Sequence, residues 1–227
     1  MTRTYPTNDP ASTIGAHSGL VRKATVNDLP DIVSIHLKVF RQYFLTRLGS
    51  GFLHEYYDLV LNYRAGIMLV SEGPRALEGF VCGFADPAEF YRSMWRHKRA
   101  FALPVLTALL RHPSLTTNVL NGVRRIQTPA SEWPTRSCEL SSIAVTPEKS
   151  SNGLGKALMK AFLAHARWMA AQCVYLTTDA DGNEAANTFY RDVGFRHTRR
   201  FLQRKGRWMN EYVINGTEGG TSCETHL

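Results

Sequence analysis

The sequence predicts an α/β (α+β) domain, because strand-like runs alternate with amphipathic helices along most of its 227 residues. In the second half, apolar runs and helical spacings give strand, helix, strand, helix, strand, strand. In the first half, a short strand and two helices precede two apolar runs that are separated by a Gly-Pro turn, which is typical of a hairpin. A chain of this length can bury one sizeable core, so one domain with an elaboration is expected.

The first half begins with a short strand in "GLVRKAT" and continues into two helices. Asn27 and Asp28 are typical helix-start residues, and the apolar spacing predicts a helix over 29–40. A second helix is predicted over 51–61. The runs "GIMLVSEG" and "ALEGFVCGFAD" then form the hairpin.

The second half starts with the apolar strand "SCELSSIAV" and a helix over 153–171, in which apolar residues recur every three or four positions. The strand "CVYLTTD" leads to the helix "NEAANTFYRDVG", with Gly194 as its C-terminal cap. Two terminal strands are expected on either side of a turn at Lys205 and Gly206.

Composition divides the chain into a folded domain over 19–214 and two polar, disordered tails over 1–18 and 215–227. Within the domain, segment 87–135 is a basic helical insertion, because it is helical in character, interrupted by prolines and rich in Arg, Lys and His. We see no internal repeat.

The net charge of +8 favours an anionic ligand, either a nucleic acid or a phosphorylated cofactor. No helix-turn-helix or aromatic RNA-binding pattern is present, so no nucleic-acid partner is expected. The sequence lacks an apolar run of about 18 residues and a signal-peptide pattern, which makes the cytoplasm the expected location. The four cysteines have neither CxxC spacing nor a neighbouring His, so no metal is expected.

The stretch "EKSSNGLGKAL" is the strongest candidate for a phosphate-binding loop. It is not a Walker A loop, because Ser150 replaces the first glycine and Ala157 replaces the Ser or Thr that would bind magnesium. It also lacks one glycine of the dinucleotide fingerprint. A helix that begins at Gly153 after a strand would still present free N–H groups and a positive dipole end to an anion. Alternatively, the two glycines only allow close packing of the helix on the strand.

Two linked motifs make the chain resemble the GNAT superfamily of N-acetyltransferases. The family's cofactor loop, [RQ]-x-x-G-x-[GA], is filled by positions 150–155, except that Ser150 stands where Arg or Gln is expected. The family's next motif, N-x-x-A-x-x-[LF]-Y-x-x-x-G-F, is matched throughout by Asn183, Ala186, Phe189, Tyr190, Gly194 and Phe195. Lys149 or Lys156 could replace the side-chain contact that Ser150 lacks.

This resemblance implies the GNAT fold: a central mixed, mostly antiparallel twisted sheet of six to seven strands, flanked by about four helices. The insertion over 87–135 would lie between strands 3 and 4. The resemblance also implies acetyl-CoA as the acetyl donor and no metal. The residues expected to bind it are Ile143, Ala144 and Val145 beside the pantetheine arm, Ser150, Ser151, Asn152, Gly153, Leu154, Gly155 and Lys156 around the pyrophosphate, and Asn183 near the arm.

Two residues are expected to carry the chemistry that the resemblance implies. Tyr190 matches the family's general acid, which would protonate the departing thiolate; the alternative is a core tyrosine. Glu139 is the best candidate for the general base, and strand alternation is expected to place it on one face with Ser141 and Ile143. Its alternative is an edge-strand carboxylate that faces solvent.

The expected activity is transfer of an acetyl group to a primary amine of a small molecule, for example an amino sugar or a nucleotide amino sugar, in a ternary complex. Aromatic residues in "HLKVFRQYFLTRLGSGFLHEYY" would suit a ring-shaped acceptor. The alternatives are a protein N-acetyltransferase and a non-catalytic acyl-CoA-binding module. For the insertion, four roles stay open: peripheral membrane contact through 91–112, acceptor binding or closure, a homodimer surface, and a solvated basic helix.

Overall fold

A computed structural model describes residues 21–41, 43–116, 119, 136–149, 153–203 and 206–215. Seven strands form one sheet: β1 (Val21–Lys23), β2 (Gly66–Glu72), β3 (Leu77–Ala85), β4 (Ser137–Val145), β5 (Cys173–Asp179), β6 (Arg196–Gln203) and β7 (Arg207–Asn215). Their spatial order is β1-β2-β3-β4-β5-β7-β6. Only β4 and β5 pair in parallel among these neighbours, which confirms the mixed, mostly antiparallel sheet.

The described helices are α1 (Leu29–Val39), α2 (Phe44–Arg47), α3 (Gly49–Asn62), α4 (Pro87–Arg96), α5 (Lys98–Arg111), α6 (Leu154–Trp168) and α7 (Glu184–Asp192). Helices α1, α3, α6 and α7 match the predicted helices within a few residues, whereas the short α2 was not predicted. Helices α4 and α5 confirm a helical insertion between strands 3 and 4. In the described part of the chain, no helix has the length and apolar character to span a membrane. The tail over 1–18, most of the tail over 215–227 and residues 120–135 lie outside the described residues.

Each face of the sheet carries its own apolar core. On one face, α1 and α3 pack on β2 and β3, and the insertion adds Phe90, Phe101 and Ala108 to the same cluster. On the other face, α6 packs its predicted apolar stripe against β2, β3 and β4. Leu158 and Phe162 of that stripe are fully buried. Helices therefore cover both faces of the sheet, and strands β2 and β3 are mostly buried, as expected for central strands.

The start of α1 is tied to the first strand by a buried carboxylate. Asp28 accepts two hydrogen bonds from the guanidinium of Arg22, at 2.8 and 2.9 Å, and two from the backbone N–H and hydroxyl of Thr25, at 2.7 and 2.9 Å. The hydrogen bonds from Arg22 are the main reason why the pKa of Asp28 falls to about 2. This network fixes the angle at which α1 leaves β1.

Strand β4 contains the irregularity that shapes the site. Cys82 of β3 pairs with Ser142, whereas the next residue, Gly83, pairs with Leu140, so Ser141 is an extra residue in a β-bulge. On its other side β4 pairs with β5 only from Ser137 to Glu139. Beyond Glu139 the two strands part, and among the described residues the rest of β4 has no ladder partner on the β5 side.

His36 is a core histidine rather than a site residue. It is 2% exposed between α1 and α3, and its Nδ1 lies 2.6 Å from the hydroxyl of Tyr57. Burial lowers the pKa of His36 from 6.5 to about 4. The imidazole is therefore neutral in the folded protein near pH 7.

We expect the protein to lose stability as the pH falls from about 6.5 to 4, because His36 must gain a proton inside the core. A depressed His pKa means that the unfolded state binds the proton first, so stability is fully present above pH 6.5 and is lost towards the folded pKa. The shift corresponds to about 3 kcal/mol at most. Urea unfolding at pH 7, 5.5 and 4.5 measures it.

The control is His36→Gln, which keeps a hydrogen-bond partner for Tyr57 but does not titrate. The unfolding free energy of this variant is expected to be lower than that of the wild type at pH 7 and to change little across the same pH range. Asp28, with its pKa of about 2, changes the stability only below about pH 3.8, which lies outside the pH range used for His36. Equal pH dependence in both proteins would contradict the assignment to His36.

Candidate active site

The first turn of α6 presents unused backbone donors. Gly153 occupies the N-cap position with φ of +73° and makes no side-chain capping hydrogen bond. The N–H of Ala157 makes the first intrahelical bond, to the carbonyl of Gly153 at 3.0 Å. The N–H groups of Leu154, Gly155 and Lys156 therefore point out of the helix end without an intrahelical acceptor. Together with the helix dipole they form a site suited to an anion.

The two glycines of the loop have different roles. Nothing would contact a Cβ at Gly153, but its left-handed backbone favours glycine. A Cβ at Gly155 would lie 3.4 Å from the ring of Phe189 and 3.8 Å from Val145, which is ordinary van der Waals contact, so the packing of α6 against α7 and β4 does not itself require a glycine there. Gly153, in contrast, shapes the start of the helix.

The structure distinguishes the two lysines beside this helix end. Lys149 forms a salt bridge of 3.0 Å with Glu78 of β3. Lys156 lies in the first turn of α6, is exposed, and has no salt bridge with any described residue. Lys156 is therefore the cation left available at the open N–H groups. Ser150, Ser151 and Asn152, which were predicted to bind the pyrophosphate, lie outside the described residues.

The end of β4 borders the parted strands. Ile143 and Val145 pack towards α6, whereas Ala144 is buried in the core on the α1 and α3 side. The N–H of Thr146 bonds to the carbonyl of Glu78 on β3, at 2.8 Å. Since backbone groups alternate along a strand, the N–H and C=O of Ile143 and Val145 point to the open side, where β5 has moved away.

The predicted alternation of Glu139, Ser141 and Ile143 on one face is wrong because of the bulge. Glu139 and Ser141 do share the face that looks towards α3 and α4, but the extra residue shifts the period, and Ile143 packs on the α6 face. The alternative for Glu139, a solvent-facing carboxylate on an edge strand, is also wrong about the strand, because β4 is a central strand of the sheet.

Two tyrosines hold the carboxylate of Glu139. The hydroxyl of Tyr91, on α4 of the insertion, donates to Oε1 at 2.9 Å, and the hydroxyl of Tyr175, on β5, donates to Oε2 at 2.8 Å. Glu139 is half-buried and stands at the last paired position before β4 and β5 part. Each carboxylate oxygen keeps a further lone pair, so the group can still accept a proton.

Tyr190 lies on α7, the helix that follows β5. Its ring packs edge-on against Phe189 and lies 5.8 Å from the ring of Tyr212. Burial is the main reason that its pKa is raised above 10, and the nearby phenols of Tyr43 and Tyr212 add to the effect. The hydroxyl has no hydrogen-bond partner within the described ranges. Tyr190 is therefore a protonated phenol with a free hydroxyl.

Asn183 sits at the N-cap position of α7, but its side chain does not cap the helix. Its Nδ2 donates instead to the hydroxyl of Thr178 on β5, at 2.8 Å. Asn187, one turn further, is 4% exposed and donates to the carbonyl of Asp179 at 2.9 Å, while its Oδ1 accepts from Tyr212 at 2.9 Å. These amides hold α7, and hence Tyr190, against the end of β5.

Tyr43, one of the aromatic residues in the predicted acceptor segment, lies between α1 and α2. The guanidinium of Arg207 lies 5.8 Å from its ring, and burial together with the charge of Asp179 raises the pKa of its phenol. Asp179 also forms a salt bridge with Arg207, and Asp181 forms one with Arg200 at 2.7 Å. The two aspartates are thus ion-pair partners. The sequence did not predict that Tyr43 lies close to Arg207 and Asp179.

The sequence model described as the acetyltransferase (GNAT) family matches residues 115–195, which include β4, α6, β5 and α7. No curated protein matches the chain.

Solved structures of acetyltransferases share the fold of the chain at low sequence identity. The structure titled yncA, a putative acetyltransferase from Salmonella typhimurium with its cofactor acetyl-CoA, has a TM-score of 0.56 at 16% identity and covers 91% of this chain and 98% of its own. A spermidine N-acetyltransferase from Vibrio cholerae has a TM-score of 0.55 at 16% identity, and the match covers 86% of this chain and 94% of its own. A ribosomal-protein-alanine N-acetyltransferase from Brucella melitensis has a TM-score of 0.56 at 18% identity, and the match covers 86% of this chain and 99% of its own.

The family match covers the segment that forms the open helix end, the parted strands and the helix of Tyr190. The shared fold extends over most of the chain. Together, the GNAT acetyltransferase model that matches residues 115–195 and the fold shared with solved acetyltransferases support an acyltransferase.

Proposed function

We propose that this protein transfers an acetyl group from acetyl-CoA to a primary amine of a small molecule, by direct attack in a ternary complex. The observation that carries the proposal is the parting of β4 and β5 directly beyond Glu139, with the open N-terminus of α6 at the end of β4. A helix end offers N–H donors to a diphosphate, and an unpaired strand edge offers backbone groups to the amides of a pantetheine arm.

The residues present fit acetyl-CoA on chemical grounds. The N–H groups of Leu154, Gly155 and Lys156 suit the pyrophosphate, and a left-handed Gly153 leaves the approach to them free of side chains. The open-side N–H and C=O groups of Ile143 and Val145 suit amides that run along β4. When bound, acetyl-CoA supplies an acetyl group activated as a thioester.

The chain's own groups divide the proton transfers. Glu139 accepts a proton from the acceptor ammonium, which gives the neutral amine needed for attack on the acetyl carbonyl. A backbone N–H of the open β4 edge polarises that carbonyl. Tyr190 donates its proton to sulfur as the carbon–sulfur bond breaks, and the tyrosinate takes up the second proton of the attacking nitrogen. The products are the amide, the free thiol and protonated Glu139, which releases its proton to solvent. In this scheme the acceptor lies on the face shared by Glu139 and Ser141.

The surroundings of Glu139 favour a cationic acceptor with a ring, such as an amino sugar or a nucleotide amino sugar. Tyr56, Tyr91 and Tyr175 line this region, and the hydroxyl of Tyr56 lies 2.5 Å from that of Ser141. Of the aromatic residues in the predicted acceptor segment, Phe52, Tyr56 and Tyr57 are buried, while Phe40, Tyr43 and Phe44 are half-buried. Half of this set therefore belongs to the core, and the others can border a ligand.

The test is release of free thiol from acetyl-CoA with a panel of amines: glucosamine, a uridine-diphosphate amino sugar, spermidine and a peptide with an N-terminal alanine. Faster thiol release with an amino sugar than with the peptide supports the proposal. A preference for the peptide would instead indicate a protein N-acetyltransferase. Tight binding of coenzyme A without thiol release for any amine would leave the acyl-CoA-binding module.

We expect Lys156→Gln to weaken coenzyme A binding about fivefold, the effect of one partly exposed charge pair. The reason is that Lys156 has no salt bridge with a described residue and lies in the first turn of α6. The loss should shrink in 0.5 M salt, because salt screens exposed charges. Calorimetric titration with coenzyme A at two salt concentrations measures the effect.

Lys149→Gln is the matched control. Since Lys149 already pairs with Glu78 at 3.0 Å, its removal is expected to change the affinity less than twofold. A larger loss for Lys149→Gln than for Lys156→Gln would mean that Lys149 leaves Glu78 to take the place of the missing Arg or Gln.

A further inference from the structure

The outer face of α5 carries a row of exposed leucines. Leu103, Leu106 and Leu110 are 69%, 55% and 74% exposed, and their spacing places them on one side of the helix. We call these three residues the leucine row. They account for half of the six large apolar side chains that are exposed among the described residues.

The opposite side of α5 fixes this orientation. Phe101 and Ala108 are buried, and the ring of Phe101 lies 5.3 Å from that of Phe52 on α3. Pro104 packs close to Gly51, the third residue of α3. The helix is therefore held on the domain by its inner face, and the leucine row is directed away from it.

Cations stand at both ends of the leucine row. Arg99 lies one turn before Leu103 on the same face, Lys98 precedes Arg99, and Arg111 follows Leu110. None of these three cations has a salt bridge within the part of the chain that is described. On α4, in contrast, Arg96 is paired with Glu89 at 2.7 Å.

The sequence around α5 offers no internal counter-charge. From residue 90 to residue 131 it contains no Asp or Glu. Any anionic partner of the positive charges at the ends of the leucine row therefore comes from outside this segment.

We propose that α5 docks in the plane of an anionic lipid bilayer, with the leucine row at the boundary of the acyl chains and with Lys98, Arg99 and Arg111 among the headgroups. An interfacial helix has this combination of an apolar face and flanking cations. The 14 residues of α5 extend about 21 Å, which suits a helix that lies on the surface. This inference stands apart from acetyl transfer, because no residue of the leucine row belongs to the candidate active site.

Charge favours lipid over a second copy of the chain. In a two-fold pairing of antiparallel α5 helices, Arg99 of one copy would approach Arg111 of the other, and the segment has no carboxylate to separate them. Like charges in contact oppose such an interface. An anionic bilayer supplies both the apolar layer and the counter-charge, and each Lys or Arg near it strengthens binding about fivefold.

The experiment is co-sedimentation of the full chain with vesicles of phosphatidylcholine alone or with 30% phosphatidylserine. We expect binding only to the phosphatidylserine vesicles and a decrease between 0.1 and 0.5 M NaCl. Leu103→Gln/Leu110→Gln should weaken binding about tenfold by removing apolar contact. Lys98→Gln/Arg99→Gln should weaken it about 25-fold, which is fivefold for each charge.

Matched controls lie elsewhere on the surface. Leu202→Gln removes a leucine that is 55% exposed on β6, and Lys160→Gln/Arg167→Gln removes two exposed cations of α6; both proteins should bind like the wild type. Circular dichroism checks that each variant is folded. Wild-type protein that stays in the supernatant, or leucine-row variants that sediment like it, would overturn the proposal. A dimer would overturn it as well: the wild type would be a dimer by sedimentation velocity and would not bind vesicles, and the leucine-row variants would be monomers.

Discussion

Tyr190→Phe is expected to lower the turnover number about 100-fold and to leave the affinity for coenzyme A within twofold of the wild-type value. The phenol has no hydrogen-bond partner among the described residues, so its removal breaks no contact of the fold there. What it removes is the proton that we propose Tyr190 donates to sulfur. General acids contribute about 10²- to 10⁴-fold, and the lower end applies because a thiolate with a pKa of about 8.5 is already a fair leaving group.

The raised pKa of Tyr190 has two opposite consequences for this role. It keeps the phenol protonated across the usual assay range, so the acid is always present. It also makes transfer to the thiolate more uphill, because the phenol is the weaker acid. We therefore expect the wild-type enzyme to show no loss of turnover below pH 10 that arises from Tyr190.

Tyr212→Phe is the control for packing near Tyr190. The ring of Tyr212 lies 5.8 Å from that of Tyr190, but its hydroxyl bonds to the buried Oδ1 of Asn187 at 2.9 Å. This variant should lose about 1 kcal/mol of stability and keep its turnover number. Stopped-flow or steady-state thiol release, together with calorimetric binding of coenzyme A, separates the two effects. An unchanged turnover number in Tyr190→Phe would reject the acid role.

Local patterns were sufficient to predict most of the secondary structure. The apolar spacing of "LGKALMKAFLAHARW" gave α6, the Gly-Pro turn gave the β2–β3 hairpin, and Gly206 gave the turn between the last two strands. Each of these signals acts over a few residues, within one element or turn. The two motifs of the cofactor loop and of "NEAANTFYRDVGF" are equally local, and they sufficed to predict the family whose model matches residues 115–195.

Features that depend on distant pairing could not be predicted. The bulge at Ser141 comes from the register between β3 and β4, and it reversed the predicted side of Ile143. The terminal hairpin joins the sheet through β7, its second strand, although β6 comes first in the sequence. Tyr91 reaches Glu139 from 48 residues away, out of an insertion with no family pattern.

The hydrogen bonds from Tyr91 and Tyr175 determine what we expect of Glu139. Both carboxylate oxygens are held, at 2.9 and 2.8 Å, so the group is oriented in advance of the acceptor. Tyr91→Phe removes one of these bonds and should lower kcat/KM about threefold to tenfold. This loss is smaller than the loss expected on replacing Glu139 itself, because Tyr91 only positions the proposed base and Glu139 is still present.

Glu139→Gln is expected to lower kcat/KM about 10²- to 10³-fold at pH 7. A primary amine with a pKa near 10 is almost entirely protonated at that pH, so the base is needed to produce the attacking species. The loss should shrink to less than tenfold near pH 9.5, where much of the amine is neutral without help. This comparison is feasible because burial keeps Tyr190 protonated at the same pH.

Asp31→Asn is the control for Glu139, since Asp31 is an exposed carboxylate in the first turn of α1, belongs to no part of the candidate site and should be silent at both pH values. Thiol release against amine concentration, measured at pH 7 and 9.5, gives the ratio for each variant. A loss in Glu139→Gln that is the same at both pH values would contradict proton removal, because a purely structural carboxylate has no reason to matter less when the amine is already neutral. The pH dependence of the defect, rather than its size, therefore decides between a base and a structural anchor for Tyr91 and Tyr175.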